Sequence, residues 1–191
     1  MAEVAATTER LILRDWDPAD ETAFSAIMNT PSVMEHLGGV QTPEQWREAF
    51  TRIAGFTRDF GHTFWIVEDQ ASGDILGFCG LKRVNAPGSG TLMGTPEIGW
   101  RLRTSAWGQG IAKEAAIASL DLAFGRFDYP SVIAMTTAGN VASQRLMERL
   151  DMVRREELDF IDTRFGPDLN PQLIWSIDAA AWPRARAAAL A

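Results

Sequence analysis

The sequence predicts an α+β domain built on a mixed sheet, antiparallel in its first half, with one parallel strand–helix–strand crossover in the middle. Two observations carry this. Three strand-like segments, at 63–68, 75–84 and 95–102, follow one another through turn residues, which suits antiparallel neighbours. A long apolar helical segment, 107–124, then separates the third of them from another strand-like run at 131–137, and a connection of that length returns a strand in parallel. At 191 residues, with no repeat and no composition break before an Ala-rich tail at 179–191, the chain is expected to form a single domain.

The elements follow in order. Residues 8–15 alternate apolar Leu11 and Leu13 with Arg10 and Arg14, so they read as a half-buried strand. Asp17-Pro18 supplies an N-cap and N1 proline for a helix to about Asn29. Thr42-Pro43-Glu44-Gln45 is a capping box that opens a second helix, which runs to about Phe60 and stops at Gly61. A hairpin turn at 69–74 joins the strands 63–68 and 75–84. The Gly-, Pro- and Ser-rich stretch 85–94 reads as a mobile loop. In the main helix, 107–124, Ile111, Ala115, Ala118 and Leu122 share one face. Asn140 caps a further helix ending near Leu150, and 153–162 and 173–178 read as closing strands before the helix-prone tail. The expected order is β-α-α-β-β-β-α-β-α-β-β.

Composition narrows the function classes. The 46% hydrophobic and 23% charged fractions are ordinary for a globular protein, and no apolar run approaches the roughly 20 residues that span a bilayer. Residues 1–10 lack a basic segment followed by an apolar one, so no secretory signal is expected and the cytoplasm is the default location. A net charge of −7 argues against nucleic acid as the main partner and suits a cationic or amine ligand. The single cysteine, Cys79, rules out a disulfide framework and sits in the apolar run 75–81, where a buried, inert thiol is expected. His36 and His62 have no spaced partners, so no metal site is expected. His36 lies in the segment between the first two helices.

The chemistry concentrates at Trp107-Gly108-Gln109-Gly110-Ile111-Ala112, which runs straight into Lys113-Glu114-Ala115-Ala116. Glycines at a helix start let an anion approach unpaired N–H groups at the positive end of the helix dipole, so the segment reads as a pyrophosphate cradle. Two familiar cradles do not fit. A dinucleotide fold needs a third glycine where Lys113 stands, after the first strand rather than the fourth, and a P-loop needs Gly-Lys-Ser/Thr.

The segment resembles the acetyl-CoA signature of the GNAT superfamily of N-acetyltransferases, Arg/Gln-x-x-Gly-x-Gly/Ala, with Gly110 and Ala112 on the small positions and Trp107 where Arg or Gln is usual. Three other segments are similar to the branch that holds the ribosomal-protein N-terminal acetyltransferases, the RimJ/RimL type: Thr8-Glu9-Arg10-Leu11-Ile12-Leu13-Arg14, Glu97-Ile98-Gly99-Trp100-Arg101-Leu102, and Asn140-Val141-Ala142-Ser143-Gln144-Arg145-Leu146. The resemblance implies the acyl-CoA N-acyltransferase fold, with the CoA site on the parallel crossover. It implies direct transfer of an acetyl group from acetyl-CoA to a primary amine, with a protein N-terminal α-amino group favoured. A small-molecule amine such as an amino acid, polyamine or aminoglycoside is the alternative, as is a non-catalytic acyl-CoA-binding module.

On the same resemblance a backbone amide around Trp100 to Leu102 would donate to the oxyanion, and Leu102, Arg103 and Thr104 would meet the pantetheine arm. The amides of Trp107, Gly108, Gln109, Gly110, Ile111 and Ala112 would hold the pyrophosphate. Glu97 is the candidate general base, against the alternative of an ordinary exposed carboxylate. Asn140 is an N-cap and a candidate CoA contact, and Ser143 is a candidate cofactor contact and proton donor to the thiolate. Related enzymes place a Tyr where Met147 stands, and the one tyrosine, Tyr129, precedes the preceding strand. Arg145 reads as a solvated arginine, with the 3′-phosphate as its alternative partner. Trp65 and Trp100 read as core, with an acceptor channel as the alternative. Segments 29–42 and 85–94 would shape the acceptor site. Monomer and homodimer both stay open, as does an interaction role for the tail.

Overall fold

An N-terminal hairpin opens the chain, where the sequence suggests one strand. β1 (Val4–Thr7) folds back on β2 (Leu11–Arg14), with Thr7 opposite Ile12. The computed structural model describes residues 2–191, which divide into two units: residues up to Lys82 with Gly99–Ser119, and Arg83–Ile98 with Leu120–Ala191.

In the first unit, α1 (Asp20–Met28), α2 (Pro31–Met34) and α3 (Pro43–Phe60) precede β3 (Phe64–Asp69) and β4 (Ile75–Arg83). The strand order is β1-β2-β3-β4-β5, where β5 is Pro96–Leu102 and gives this unit its C-terminal half. α3 has the predicted bounds. Thr42 accepts from the Gln45 amide at 3.3 Å while the Gln45 side chain accepts from Thr42 at 2.9 Å, and Gly61 ends the helix. α1 starts later than Asp17-Pro18 suggests, because Asp20 is drawn inward by Arg14 (2.7 and 2.9 Å) and also accepts from the Asp17 amide. Arg14 reaches Glu68 as well (2.8 Å), so this half-buried guanidinium is saturated by two carboxylates. α2 is absent from the sequence reading; Thr30 and Pro31 start it, and it buries Val33 and Met34. The helices cover a cluster of Phe24, Met28, Val33, Trp46, Phe64, Ile66 and Phe78, in which Phe64 and Phe78 stack at 4.9 Å.

α4 (Ile111–Gly125) begins four residues after Trp107, because Gly108 and Gly110 hold left-handed backbone before it. Its buried residues are Ile111, Ala115, Ala116, Ile117, Ser119, Leu120 and Ala123, with Ala118 and Leu122 only half-buried, a rotation from the face expected. Cys79 is fully buried against Ser119 (3.5 Å), and burial pushes its thiol up to about 12, so it stays protonated and inert as expected.

In the second unit the strand order is β5-β6-β8-β7, with β6 at Ser131–Thr136, β7 at Val153–Arg154 and β8 at Leu173–Asp178. β5 and β6 are parallel, with Glu97 opposite Ile133, while β6–β8 and β7–β8 are antiparallel. This is the predicted mixed sheet, with α4 as the crossover. Two expectations shorten. Residues 153–162 supply a two-residue strand, a 3-10 turn and a single bridge between Phe160 and Gln172, because Arg154 spends its guanidinium on Asp159. The 85–94 loop is pinned by Ala86 and Leu92, buried with Val84, Ile133, Phe160 and Ile174. The tail is α6 (Trp182–Leu190), whose Trp182, Ala185 and Ala189 are buried. Asp121 of α4 accepts from the Trp182 indole (2.8 Å) and from Arg186 (2.8 Å), so the Ala-rich face is spent within the chain.

Candidate functional site

The turn from β5 into α4 is built by its own side chains. Thr104–Ala106 form a 3-10 turn, in which the Trp107 amide donates to Thr104 at 3.1 Å. The Trp107 indole N–H donates to the Leu102 carbonyl at 2.8 Å and the Gln109 side chain to the Ser105 carbonyl at 2.6 Å. Gly108 (φ 73) and Gly110 (φ 77) then turn the backbone through a region that L side chains rarely adopt. The Glu114 amide donates to Gly110 at 3.0 Å, the first bond of α4, so the Ile111, Ala112 and Lys113 amides have no acceptor within the helix. The turn faces open space. A Cβ on Gly108 would meet nothing within 4 Å, and one on Gly110 would meet only Arg10, at 3.6 Å.

Arg10 and Glu114 latch this turn to β2. Glu114 accepts from the Thr8 hydroxyl (2.5 Å), the Arg10 amide (3.0 Å) and the Arg10 guanidinium (2.6 Å), which also donates to the Gln109 carbonyl (3.0 Å). Burial pushes the Glu114 carboxyl up, but the Thr8 and Arg10 bonds outweigh it and hold it below the usual carboxylate range. A depressed carboxylate contributes stability above its unfolded-state value, and the contribution disappears as pH falls through the folded-state value. Glu114→Gln should therefore lose about 1 kcal/mol at pH 7. Its stability, followed by urea unfolding, should fall less steeply than that of the parent as pH drops below 4.5.

β5 carries the other expected residues of the first unit. Trp100 is half-buried and Leu102 buried. The Arg103 amide is already bonded to the Leu76 carbonyl (2.8 Å), its guanidinium to Asp74 (3.2 Å), and its carbonyl accepts from the Ala106 amide (3.0 Å), so Arg103 can offer a ligand only the second lone pair of that carbonyl. Thr104 is exposed. Gly99 lies so close to Phe64 that a Cβ would come within 2.9 Å of the ring. Arg101, which the sequence reading passed over, reaches over Phe78 with its Cζ 5.2 Å from the ring centre, and among the described residues its guanidinium donates only to Met34 Sδ, at 3.4 Å. His36 is half-buried in the turn after α2, and His62 is buried, with Nδ1 3.0 Å from the Leu81 carbonyl oxygen. No group of metal-ligating side chains forms among the described residues.

In the second unit Glu97 is 6% exposed, so the reading of it as an ordinary solvent-facing carboxylate fails. Asp162's hydrogen bonds hold the Arg164 guanidinium above its ordinary value, against burial, with the charges of Asp162 and Glu97 adding to the effect. Asn140 caps α5 (Val141–Arg149) by accepting from the Ser143 amide at 3.2 Å, leaving its Nδ2 without a partner among the described residues. Ser143 is half-buried on the first turn, and Arg145 is exposed. Thr137 ends the same connection with a buried hydroxyl that has no hydrogen-bond partner among the described residues, a position the sequence reading missed. Met147 is 1% exposed, and the Tyr129 hydroxyl accepts from Arg83 (3.1 Å), whose guanidinium stacks on the ring at 4.6 Å.

Residues 10–153 match the family described as Acetyltransferase (GNAT) domain. The chain belongs to the GNAT acetyltransferase family. It is 33% identical over 152 residues to the uncharacterized protein YkkB of Bacillus subtilis, covering 79% of this chain and 86% of that one. Its fold matches that of an acetyltransferase from Agrobacterium tumefaciens with a TM-score of 0.74 at 24% identity, over 90% of this chain and 92% of that one. It also matches RimL, a ribosomal L7/L12 α-N-protein acetyltransferase, with a TM-score of 0.71 at 15% identity, over 93% and 95% of the two chains. Identities this low speak for the fold alone.

As a member of this family the protein is an N-acetyltransferase, and the family's co-substrate is acetyl-CoA. The residues present fit that donor, because the open face at Gly108 and the amides at the start of α4, which helix geometry leaves without an acceptor inside the helix, suit a pyrophosphate and require no side-chain charge. No helix is long and apolar enough to cross a membrane among the described residues.

Proposed function

We propose that the protein transfers the acetyl group of acetyl-CoA directly to a primary amine, and that the amine is the N-terminal α-amino group of a peptide. The observation that carries the donor half is the paired left-handed glycines at 108 and 110, which open the backbone in front of the amides of Ile111 and Ala112. The pyrophosphate sits on the amides of Gly108, Gln109, Gly110, Ile111 and Ala112; the Trp107 amide, expected in this set from the sequence, is spent on the Thr104 carbonyl and shapes the turn instead. The pantetheine arm runs along Leu102, Arg103 and Thr104, and a backbone N–H in the Trp100 to Leu102 stretch donates to the oxyanion. Asn140 Nδ2 and Ser143 provide further contacts to the donor.

Glu97 takes the proton of the attacking ammonium, directly or through a water. The neutral nitrogen forms its bond to the acetyl carbon, the carbon–sulfur bond breaks, and the thiolate leaves with a proton from Ser143 or water. With Met147 buried and Tyr129 engaged by Arg83, neither replaces Ser143 in this scheme.

The acceptor class rests on three segments similar to the RimJ/RimL branch and on the shared fold with RimL, whose acceptor is a protein α-amino group. A thiol-release assay across peptides with varied N-termini, free amino acids, polyamines and aminoglycosides tests it. Peptides should give the highest kcat/KM. A polyamine or aminoglycoside above every peptide would replace this acceptor with a small molecule.

A further inference from the structure

From the side chains around β5 we infer that Arg101 is a specificity residue that binds a carboxylate carried by the acceptor amine. The inference rests on the amine-acetylation reading and narrows its substrate class.

The fold shows what it does with a half-buried arginine that serves structure alone. Arg14 is met by Asp20 at 2.7 and 2.9 Å and by Glu68 at 2.8 Å, and those bonds raise its affinity for the proton. Arg101 has no such company. Among the described residues its Nε is sealed from water with no hydrogen-bond partner, its guanidinium donates to the weak acceptor Met34 Sδ at 3.4 Å, and its Cζ lies over the face of Phe78. Burial draws its proton affinity down to about 10, which still leaves it charged at neutral pH. A cation held among apolar groups without a counter-ion is costly. A ring face and a thioether recover only part of that cost.

Three features of position turn this cost into a recognition role. Arg101 stands in the Trp100 to Leu102 stretch assigned to the oxyanion donor. By the pleat of β5 its side chain leaves on the same face as that of Gly99, where the absent Cβ gives Phe64 its place. Met34, its hydrogen-bond partner, ends α2 within the 29–42 segment that the sequence marks as a wall of the acceptor site. A planar guanidinium whose Nη1 meets only a thioether and whose Nη2 has no hydrogen-bond partner among the described residues suits bidentate pairing with a carboxylate, which would displace the weak Met34 contact. The ligand chemistry is therefore an amine and a carboxylate in one molecule. Its source is either a free α-amino acid or a peptide with an acidic residue next to its N-terminus.

Calorimetric binding of two matched acceptor pairs, with CoA present, tests this. One pair is an α-amino acid and its amide; the other is two peptides that differ only in Glu or Gln at the second position. The carboxylate-bearing member of one pair should bind the parent protein on the order of ten- to a hundredfold more tightly than its partner. The pair that shows the difference identifies the source. The preference should vanish in Arg101→Met, which should itself be at least as stable as the parent, since it removes an uncompensated charge. Arg101→Gln serves the same purpose if the methionine variant fails to fold. No preference in either pair, or a preference that survives both substitutions, overturns the inference. Thiol release measured on the same pairs separates the two readings. Selective binding without transfer leaves the carboxylate site standing and removes the acetylation reading, whereas transfer without selectivity does the reverse.

Discussion

Gly110→Asp is expected to abolish acetyl-CoA binding at working concentrations while leaving the fold intact. Gly110 holds φ 77, and its missing Cβ faces open space apart from Arg10 Nη2 at 3.6 Å. Aspartate tolerates left-handed backbone better than most residues, so the backbone penalty is small beside the electrostatic one. The new carboxylate would occupy the mouth of the anion cradle, repel the pyrophosphate, and compete with Glu114 for Arg10. Losing charge-assisted contacts and adding repulsion should cost at least about 3 kcal/mol, or about a hundredfold in affinity. Calorimetry with acetyl-CoA reads the loss, and circular dichroism checks the fold. Unchanged affinity in a folded variant would remove the cradle from this turn.

Glu97→Gln is the second large effect. The substitution keeps the length and hydrogen-bonding shape of a side chain that is 6% exposed on β5 opposite Ile133, so strand register should survive. A general base contributes typically 10²–10⁴-fold, and kcat should fall by about that factor with acetyl-CoA affinity unchanged. The base must be deprotonated to act, so the rise of kcat with pH on the acid side should flatten in the variant. A variant that keeps the parent's rate and pH profile would make Glu97 a structural carboxylate, held for its charge beside Arg164.

Much of the fold was legible because its signals are local. Thr42-Pro43 with Gln45 states where α3 begins, and Asn140 states where α5 begins, since each is a side chain satisfying amides within its own turn. The misses came from tertiary partners. Asp20, not Asp17, sets the start of α1 because Arg14 draws it in, and the face that α4 buries depends on what packs against a helix apolar nearly all round. The glycines of the cradle were visible, but their left-handed backbone delays α4 to Ile111. Arg101 was harder to see. The sequence shows an arginine on a strand between two apolar residues, and only the arrangement of Phe78 and Met34 around it, without a carboxylate, sets it apart from Arg14. Its signal was present in the period of β5, where a charge falls on the same face as Gly99.

The most direct test of the central claim is the stoichiometry of one incubation with acetyl-CoA and an amine-bearing peptide, following free CoA thiol by colorimetry and the acceptor by mass spectrometry. One acetyl group on the peptide's N-terminal nitrogen for each thiol released is the predicted result. Thiol release without acetylated amine, or tight acetyl-CoA binding with no acetyl transfer to any amine, would contradict it.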